Sequence, residues 1–120
     1  MKFLIQIASD ASVSVENQVV GSIPFGYMVL VGVEDADTKE IADKMIKKML
    51  RIFKDENGKT NLSLDQVGGS LLLISQFTLY ADCRKGNRPS FIRSGSAESA
   101  REMYRYIIDK CKETGVTVQT

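Results

Sequence analysis

Tyr27-Met28-Val29-Leu30-Val31-Gly32-Val33 decides the fold. Successive side chains of a strand point to opposite faces, and here both sets are apolar, so neither face is suited to water. Residues 27–33 are therefore expected to form a central strand. Towards the N-terminus, Pro24-Phe25-Gly26 punctuates the chain, Val13-Ser14-Val15 and Val19-Val20 flank Glu16-Asn17, and Phe3-Leu4-Ile5-Gln6-Ile7 opens it. Short β-rich runs divided by turn residues read as an antiparallel meander, with Glu16-Asn17 at a hairpin tip.

Towards the C-terminus, Asp37 offers an N-cap with Glu40 three residues on, and Ile41, Ala42, Met45, Ile46, Met49 and Leu50 recur at helical spacing. The opposite face, with Lys39, Asp43, Lys44, Lys47 and Lys48, reads as solvated surface rather than a phosphate-facing one. After Arg51-Ile52-Phe53, a turn is expected at Asp55-Glu56-Asn57-Gly58, ahead of Asn61-Leu62-Ser63-Leu64. Gly68-Gly69 then leads into a second apolar run, residues 71–80, expected to be one strand. A second helix is expected from about Ser96. Its buried stripe would be Ala100, Met103, Tyr104, Ile107, Ile108 and Cys111, its stop Gly115, with a further strand beginning over residues 116–119. The pattern predicts a single α+β domain over residues 1–120. Mainly antiparallel or mixed sheets would form a layered sandwich or barrel-like roll with two amphipathic helices.

With 120 residues, 43% of them hydrophobic, the chain can bury one modest core. Sixteen basic residues against fifteen acidic leave a net charge of +1, so any contact with nucleic acid must come from a local patch. No apolar run approaches the roughly 18 residues of a membrane span, which makes the cytoplasm the expected location. Cys83 and Cys111 form no CxxC pair, which argues against a disulfide framework or a cysteine-rich zinc site. The composition excludes most by containing no histidine: the usual general base, proton shuttle and commonest zinc ligand are all missing. Hydrolysis would have to use backbone donors, hydroxyls, carboxylates or a group brought by the substrate, and no metal or cofactor is expected.

Within residues 71–80, strand alternation places Ser75, Phe77 and Leu79 on one face and Gln76, Thr78 and Tyr80 on the other. The second face passes from Leu72 and Ile74 to an amide and a hydroxyl, a border that can form a pocket wall or merely the solvent side of an edge strand. Residues 81–95 make a longer irregular segment than a plain connection needs. Here Arg84, Lys85, Arg88 and Arg93 stand against Asp82, a local excess of positive charge suited to phosphate contact, although a solvated loop would look the same. Pro89, Ser90 and Phe91 read as a turn that buries the Phe91 ring to anchor the loop.

Ser75-Gln76-Phe77-Thr78-Leu79, followed by Arg84-Lys85-Gly86-Asn87-Arg88-Pro89-Ser90-Phe91, closely resembles the D-aminoacyl-tRNA deacylase family. Ala11-Ser12-Val13, Arg51-Ile52-Phe53, Gly58-Lys59, Asn61-Leu62-Ser63 and Gly68-Gly69 extend the resemblance over nearly the whole chain. It implies a homodimeric hydrolase that releases D-amino acids from tRNA, with Ser75, Gln76, Phe77 and Thr78 at an active site near the dimer interface. The N–H groups of Phe77 and Thr78 would polarise the ester carbonyl while the 2′-hydroxyl of the terminal adenosine helps activate water. Arg84, Lys85, Arg88 and Arg93 would meet the tRNA. A nucleophilic Thr78 is the competing mechanism, although it lacks an evident base. Competing functions are a non-catalytic tRNA acceptor-end binding module and a related L-aminoacyl-tRNA editing domain.

Two departures stand out. Family members continue through a Gly-Phe-Gly-Ala-Asp-Met-like stretch and an Asn-x-Gly-Pro-Val-Thr motif, whose Gly-Pro reaches into the partner's site and rejects L-aminoacyl groups. Here Pro24 and Pro89 are the only prolines and neither follows glycine, so chiral selection carries over to no residue of this sequence. An incomplete chain, short of apolar area and with uncovered strand edges, is the expectation. Ile7 stands where the family commonly has an arginine after the first-strand glutamine, a difference consistent with weaker selectivity.

Overall fold

A computed structural model describes residues 1–54 and 57–120, with only the main chain of Phe53, Lys54, Thr60 and Asn61. Asp55 and Glu56 of the expected turn lie outside the described residues. The apolar run that opens the sequence reading becomes β4 (Gly26–Gly32), and it is central, with β1 (Lys2–Ala8) along one edge and β7 (Ser70–Ser75) along the other. β1 pairs antiparallel, from Lys2 opposite Gly32 to Ala8 opposite Gly26. β7 pairs parallel, from Ser70 beside Gly26 to Ser75 beside Val31. β8 (Val118–Gln119) adds a short parallel edge to β7, realising the strand expected after Gly115. The sheet is mixed and open, and the described residues form no closed barrel.

Residues 11–23 form a hairpin, β2 (Ala11–Val15) and β3 (Gln18–Ile23), whose tip is Glu16-Asn17 as expected, with positive φ at both residues. The meander is corrected, because the hairpin makes a separate two-stranded sheet and does not lie between β1 and β4. Pairing with β1 and β7 saturates both edges of β4. The hairpin packs instead across the sheet, where β3 contacts β7 and β8. A further short pair, β5 (Phe53–Lys54) and β6 (Thr60–Leu62), spans the turn region.

Helices α1 (Lys39–Met49) and α2 (Ala97–Glu113) cover the face of the sheet that carries Tyr27, Val29, Val31, Leu71 and Leu73. Ala42, Ile46, Met49, Leu50, Ile107 and Cys111 complete this core. Full burial of a Val, Leu or Ile side chain contributes ~1.5–3 kcal/mol, so the contiguous cluster is the main source of stability. Ile41 departs from its expected stripe and stays partly exposed at the rim. The N-cap of α1 is Thr38 rather than Asp37, with the Thr38 hydroxyl accepting from the Ile41 N–H at 3.2 Å. Asp37 is committed elsewhere: its carboxylate accepts from the N-terminal ammonium at 2.7 Å and from the Glu34 N–H at 2.8 Å. An ionic bond in a partly buried setting outcompetes a cap that the neighbouring threonine can supply. α2 starts at the expected Ser96, which accepts from the Ser99 N–H, and Gly115 follows its end at φ +87°.

Candidate functional site

The run expected as one strand over residues 71–80 divides at Ser75. The last sheet bond is from the Gln76 N–H to the Val31 carbonyl at 2.8 Å, and Phe77–Tyr80 then winds into a 3-10 turn. β4 ends at Gly32, so the ladder has no further partner to offer. Gly32 also makes room for the turn: a Cβ there would lie 3.0 Å from Leu79 Cβ and 3.2 Å from the Tyr80 ring. The strict alternation of residues 75–80 is therefore lost. Gln76 and Thr78 still meet, since the Gln76 amide donates to the Thr78 hydroxyl.

This ending has a chemical consequence. Among the described residues, no acceptor is paired with the N–H of Phe77 or of Thr78, whereas the Leu79 and Ala81 N–H groups donate back to Gln76 and Thr78 carbonyls. Phe77 is 57% exposed and Thr78 half-buried, so both amides lie near the surface. Beside Phe77 opens a cavity of about 570 Å³, lined by Ser75, Phe77, Gly95, Ala100, Arg101 and Tyr104 among others, while Gln76 and Thr78 stand outside its lining. Tyr104 is fixed by donating to the Leu73 carbonyl at 2.7 Å, and burial raises its pKa, keeping the phenol neutral. Three chain segments converge here for local reasons. Ser94 donates to the Phe77 carbonyl at 3.0 Å, the Gly95 N–H to the Val33 carbonyl at 2.8 Å, and the Ser96 N–H to Asp35 at 3.0 Å. The start of α2 is thereby tied to the ends of β4 and β7.

The expected basic residues separate into two groups. Asp82 and Ser90 exchange main-chain bonds at 2.7 Å, closing the loop between them. Within it Lys85 and Arg88 are exposed, while Arg84 is bound at its base by Asp82, with contacts down to 2.7 Å. Hydrogen bonding from Arg84 holds the Asp82 carboxyl down at about 2. Arg93 reaches the same side of the turn as Arg84, 3.7 Å from Glu34. Phe91 is half-buried as the anchor reading requires, its ring meeting that of Phe77 edge-on at 5.2 Å between centroids.

A family profile described as D-Tyr-tRNA(Tyr) deacylase matches residues 4–120. The chain belongs to this family. A D-aminoacyl-tRNA deacylase of Clostridium novyi (strain NT) is 51% identical over the full chain, which spans 82% of that protein. One from Shewanella baltica (strain OS185) is 50% identical over 98% of the chain and 82% of its own length. Among solved structures, one described as c-Myc DNA Unwinding Element Binding Protein superposes with a TM-score of 0.84 at 33% identity, covering 95% of this chain and 78% of the other. A probable eukaryotic D-amino acid tRNA deacylase, at 19% identity and TM-score 0.79, covers 95% and 68% and shares the fold.

In this deacylase-family chain, Ala100, Arg101 and Tyr104 of the cavity escaped the sequence reading as site residues, Ala100 and Tyr104 having been assigned to the helix core. Their helical spacing gave only a core signal. A tyrosine at the edge of an apolar stripe, able to present a hydroxyl to a strand end, was the one hint available. Lys2 and Tyr80, beside Arg93, were also missed as site residues.

Proposed function

We propose that this chain hydrolyses the ester joining a D-amino acid to the 3′ end of tRNA, water adding across the bond to give free D-amino acid and free tRNA. The single observation that carries the site assignment is the pair of consecutive amides, Phe77 and Thr78, without an acceptor among the described residues, the first of them on a residue that lines the cavity together with Ser75. An aminoacyl ester is already activated, so its hydrolysis chiefly needs donors aimed at the tetrahedral oxyanion and a placed water. Loss of one such donor typically lowers kcat by ~10²–10³. The two N–H groups polarise the carbonyl, and the terminal 2′-hydroxyl helps to activate water. That division of labour suits a chain without histidine. Ser75 and Gln76 set the wall, and the bond from the Gln76 amide occupies the Thr78 hydroxyl as an acceptor and orients it. Lys85, Arg88 and Arg93 give the loop its attraction for tRNA phosphates, while Arg84, paired with Asp82, adds N–H donors rather than net charge.

The working form is a homodimer in the cytoplasm. On the sheet face turned away from the helices, Leu4, Leu30 and Ile74 lie in register across three strands, and Leu4 is 54% exposed. An apolar row of that kind, reaching the strand end that carries Gln76, suits a second copy of the chain. Light scattering at micromolar concentration should report twice the 13.3 kDa chain mass, and a strictly monomeric species would remove the dimer from the proposal.

The deciding test is single-turnover deacylation of matched D- and L-tyrosyl-tRNA, with tRNA binding measured alongside. Preferential loss of the D-ester supports the proposal. Binding without hydrolysis would identify a non-catalytic acceptor-end module, and preference for an L-ester would identify an editing domain.

A further inference from the structure

On the opposite end of the 3-10 turn from the amide-bearing cavity lies a smaller polar one of about 310 Å³, lined by Lys2, Tyr80, Ala81, Asp82, Cys83, Arg84 and Arg93. We propose that Lys2 and Arg93, gathered around the Tyr80 ring, form a seat for a backbone phosphate of the unpaired 3′ end of tRNA. The proposal rests on the tRNA substrate just assigned and adds to it a second contact outside the amide-bearing cavity.

Three cations line this cavity, but they are not equivalent. Arg84 is paired with Asp82, whose two carboxylate oxygens accept from its Nε and Nη2, so that pair is neutral as a unit. Lys2 has no carboxylate partner among the described residues. Its ammonium donates to the Leu79 carbonyl at 3.0 Å and sits 4.7 Å from the Tyr80 ring centroid. Arg93 lies 5.8 Å from the same centroid, and its side chain, 62% exposed, has only the 3.7 Å contact with Glu34. Of the nearby acids, Asp37 is already neutralised by the N-terminal ammonium at 2.7 Å. Two cations thus stand 4.7 and 5.8 Å from one ring centroid, and the one ion-pair contact between either of them and a carboxylate among the described residues is that of Arg93 with Glu34. An anion entering the cavity that both line is attracted by each.

The donor chemistry suits a phosphate. Arg93 offers a planar fork and Lys2 a mobile point charge, a combination that binds a tetrahedral oxyanion from two directions. Tyr80 stays neutral between them, because burial, reinforced by the charges of Asp37 and Glu34, pushes its phenol up to about 12. The seat lies at the Tyr80 end of the turn and the amide-bearing cavity at its Phe77 end, so a strand whose terminus reaches that cavity can pass over the seat. Lys2 and Arg93 lie far apart in the sequence, so only folding assembles the seat.

The test is equilibrium binding of uncharged tRNA across a salt series, a readout that does not depend on hydrolysis. Lys2→Gln and Arg93→Gln should each weaken binding about tenfold. Each should also reduce the slope of log affinity against log salt by about 1. Lys2→Arg should keep the wild-type slope. Lys48→Gln, the same charge change on the far face of α1, should leave it unaltered. An unchanged slope in both Lys2→Gln and Arg93→Gln overturns the seat, as does a tRNA that fails to bind the wild-type chain. Saturable binding of inorganic phosphate that Lys2→Gln abolishes, with no change in the tRNA slope, would assign the cavity to free phosphate and also overturn it. If the slope falls as expected but wild-type chain hydrolyses no D-aminoacyl ester, the seat stands and the hydrolytic reading falls.

Discussion

Residues 71–75 and 76–80 are consecutive halves of one apolar run, yet they do opposite work. In the first, Leu71, Leu72 and Leu73 are fully buried and β7 is paired with a neighbour on each side. In the second the ladder has run out, Phe77 is exposed, and two amides lack acceptors among the described residues. An unmade main-chain bond in a sheet interior is a defect, whereas at the end of a rigid strand it becomes a fixed donor. The buried half holds the position, and the open half uses it.

The contrast breaks most severely from the buried side. Leu73→Ala should lower the unfolding free energy by about 2–5 kcal/mol, seen as a reduced urea midpoint. A loss below ~1 kcal/mol would mean that β7 is not the mechanical base of the site. Next in size is Gly32→Ala, which leaves the strand in place but intrudes on Leu79 and Tyr80. Displacing the turn by even an ångström should reduce kcat/KM for D-tyrosyl-tRNA by about 10²-fold. Far-UV circular dichroism should be retained, and full activity would show that the turn is not a placed catalytic element.

Thr78→Val sharpens the division between main chain and side chain. It removes the partner of the Gln76 amide, which should cost about 0.5–1.5 kcal/mol in stability. Deacylation should fall less than ~100-fold, below what loss of an oxyanion donor typically costs. Complete loss in a folded variant would instead revive the nucleophilic threonine. The smallest effects separate core from loop. Cys83 is exposed and Cys111 buried, with burial pushing the Cys111 thiol up to about 11. Brief alkylation at pH 8 should therefore add one label, at Cys83, by peptide mass spectrometry, and labelling of Cys111 would mean that the α2 core opens readily. At the loop, Arg84 lowers Asp82 from 3.8 to about 2. The order this pairing gives the loop is complete above pH 3.8 and fades as pH falls through about 2. An NMR titration of Arg84→Gln should show the Asp82 midpoint moving back up, and an unmoved midpoint would remove Arg84 as its cause.

Much of this molecule could be read directly from residues. The two-sided apolarity of residues 27–33 identified the central strand, Glu16-Asn17 the hairpin tip, and Ser96 and Gly115 the limits of the second helix, because each signal is a short-range steric or hydrogen-bonding preference. Ser75, Gln76, Phe77 and Thr78 were picked out from the family resemblance and from the passage between apolar and polar residues. The strand's true end was not legible there, since Phe77, Leu79 and Tyr80 favour extended structure as well as the preceding leucines do.

What stopped the strand was tertiary: β4 supplied no further partner beyond Val31, and Gly32 admitted the turn above it. For the same reason Asp37 lost its capping role to Thr38 once the chain's own ammonium came within reach. Sequence alone determined the periodicities, the turn residues, the absence of histidine and the charges available to the loop. Only the folded chain decided which amides were left unpaired and which cations were left unneutralised. Those outcomes depend on partners tens of residues away, whose proximity no local preference encodes.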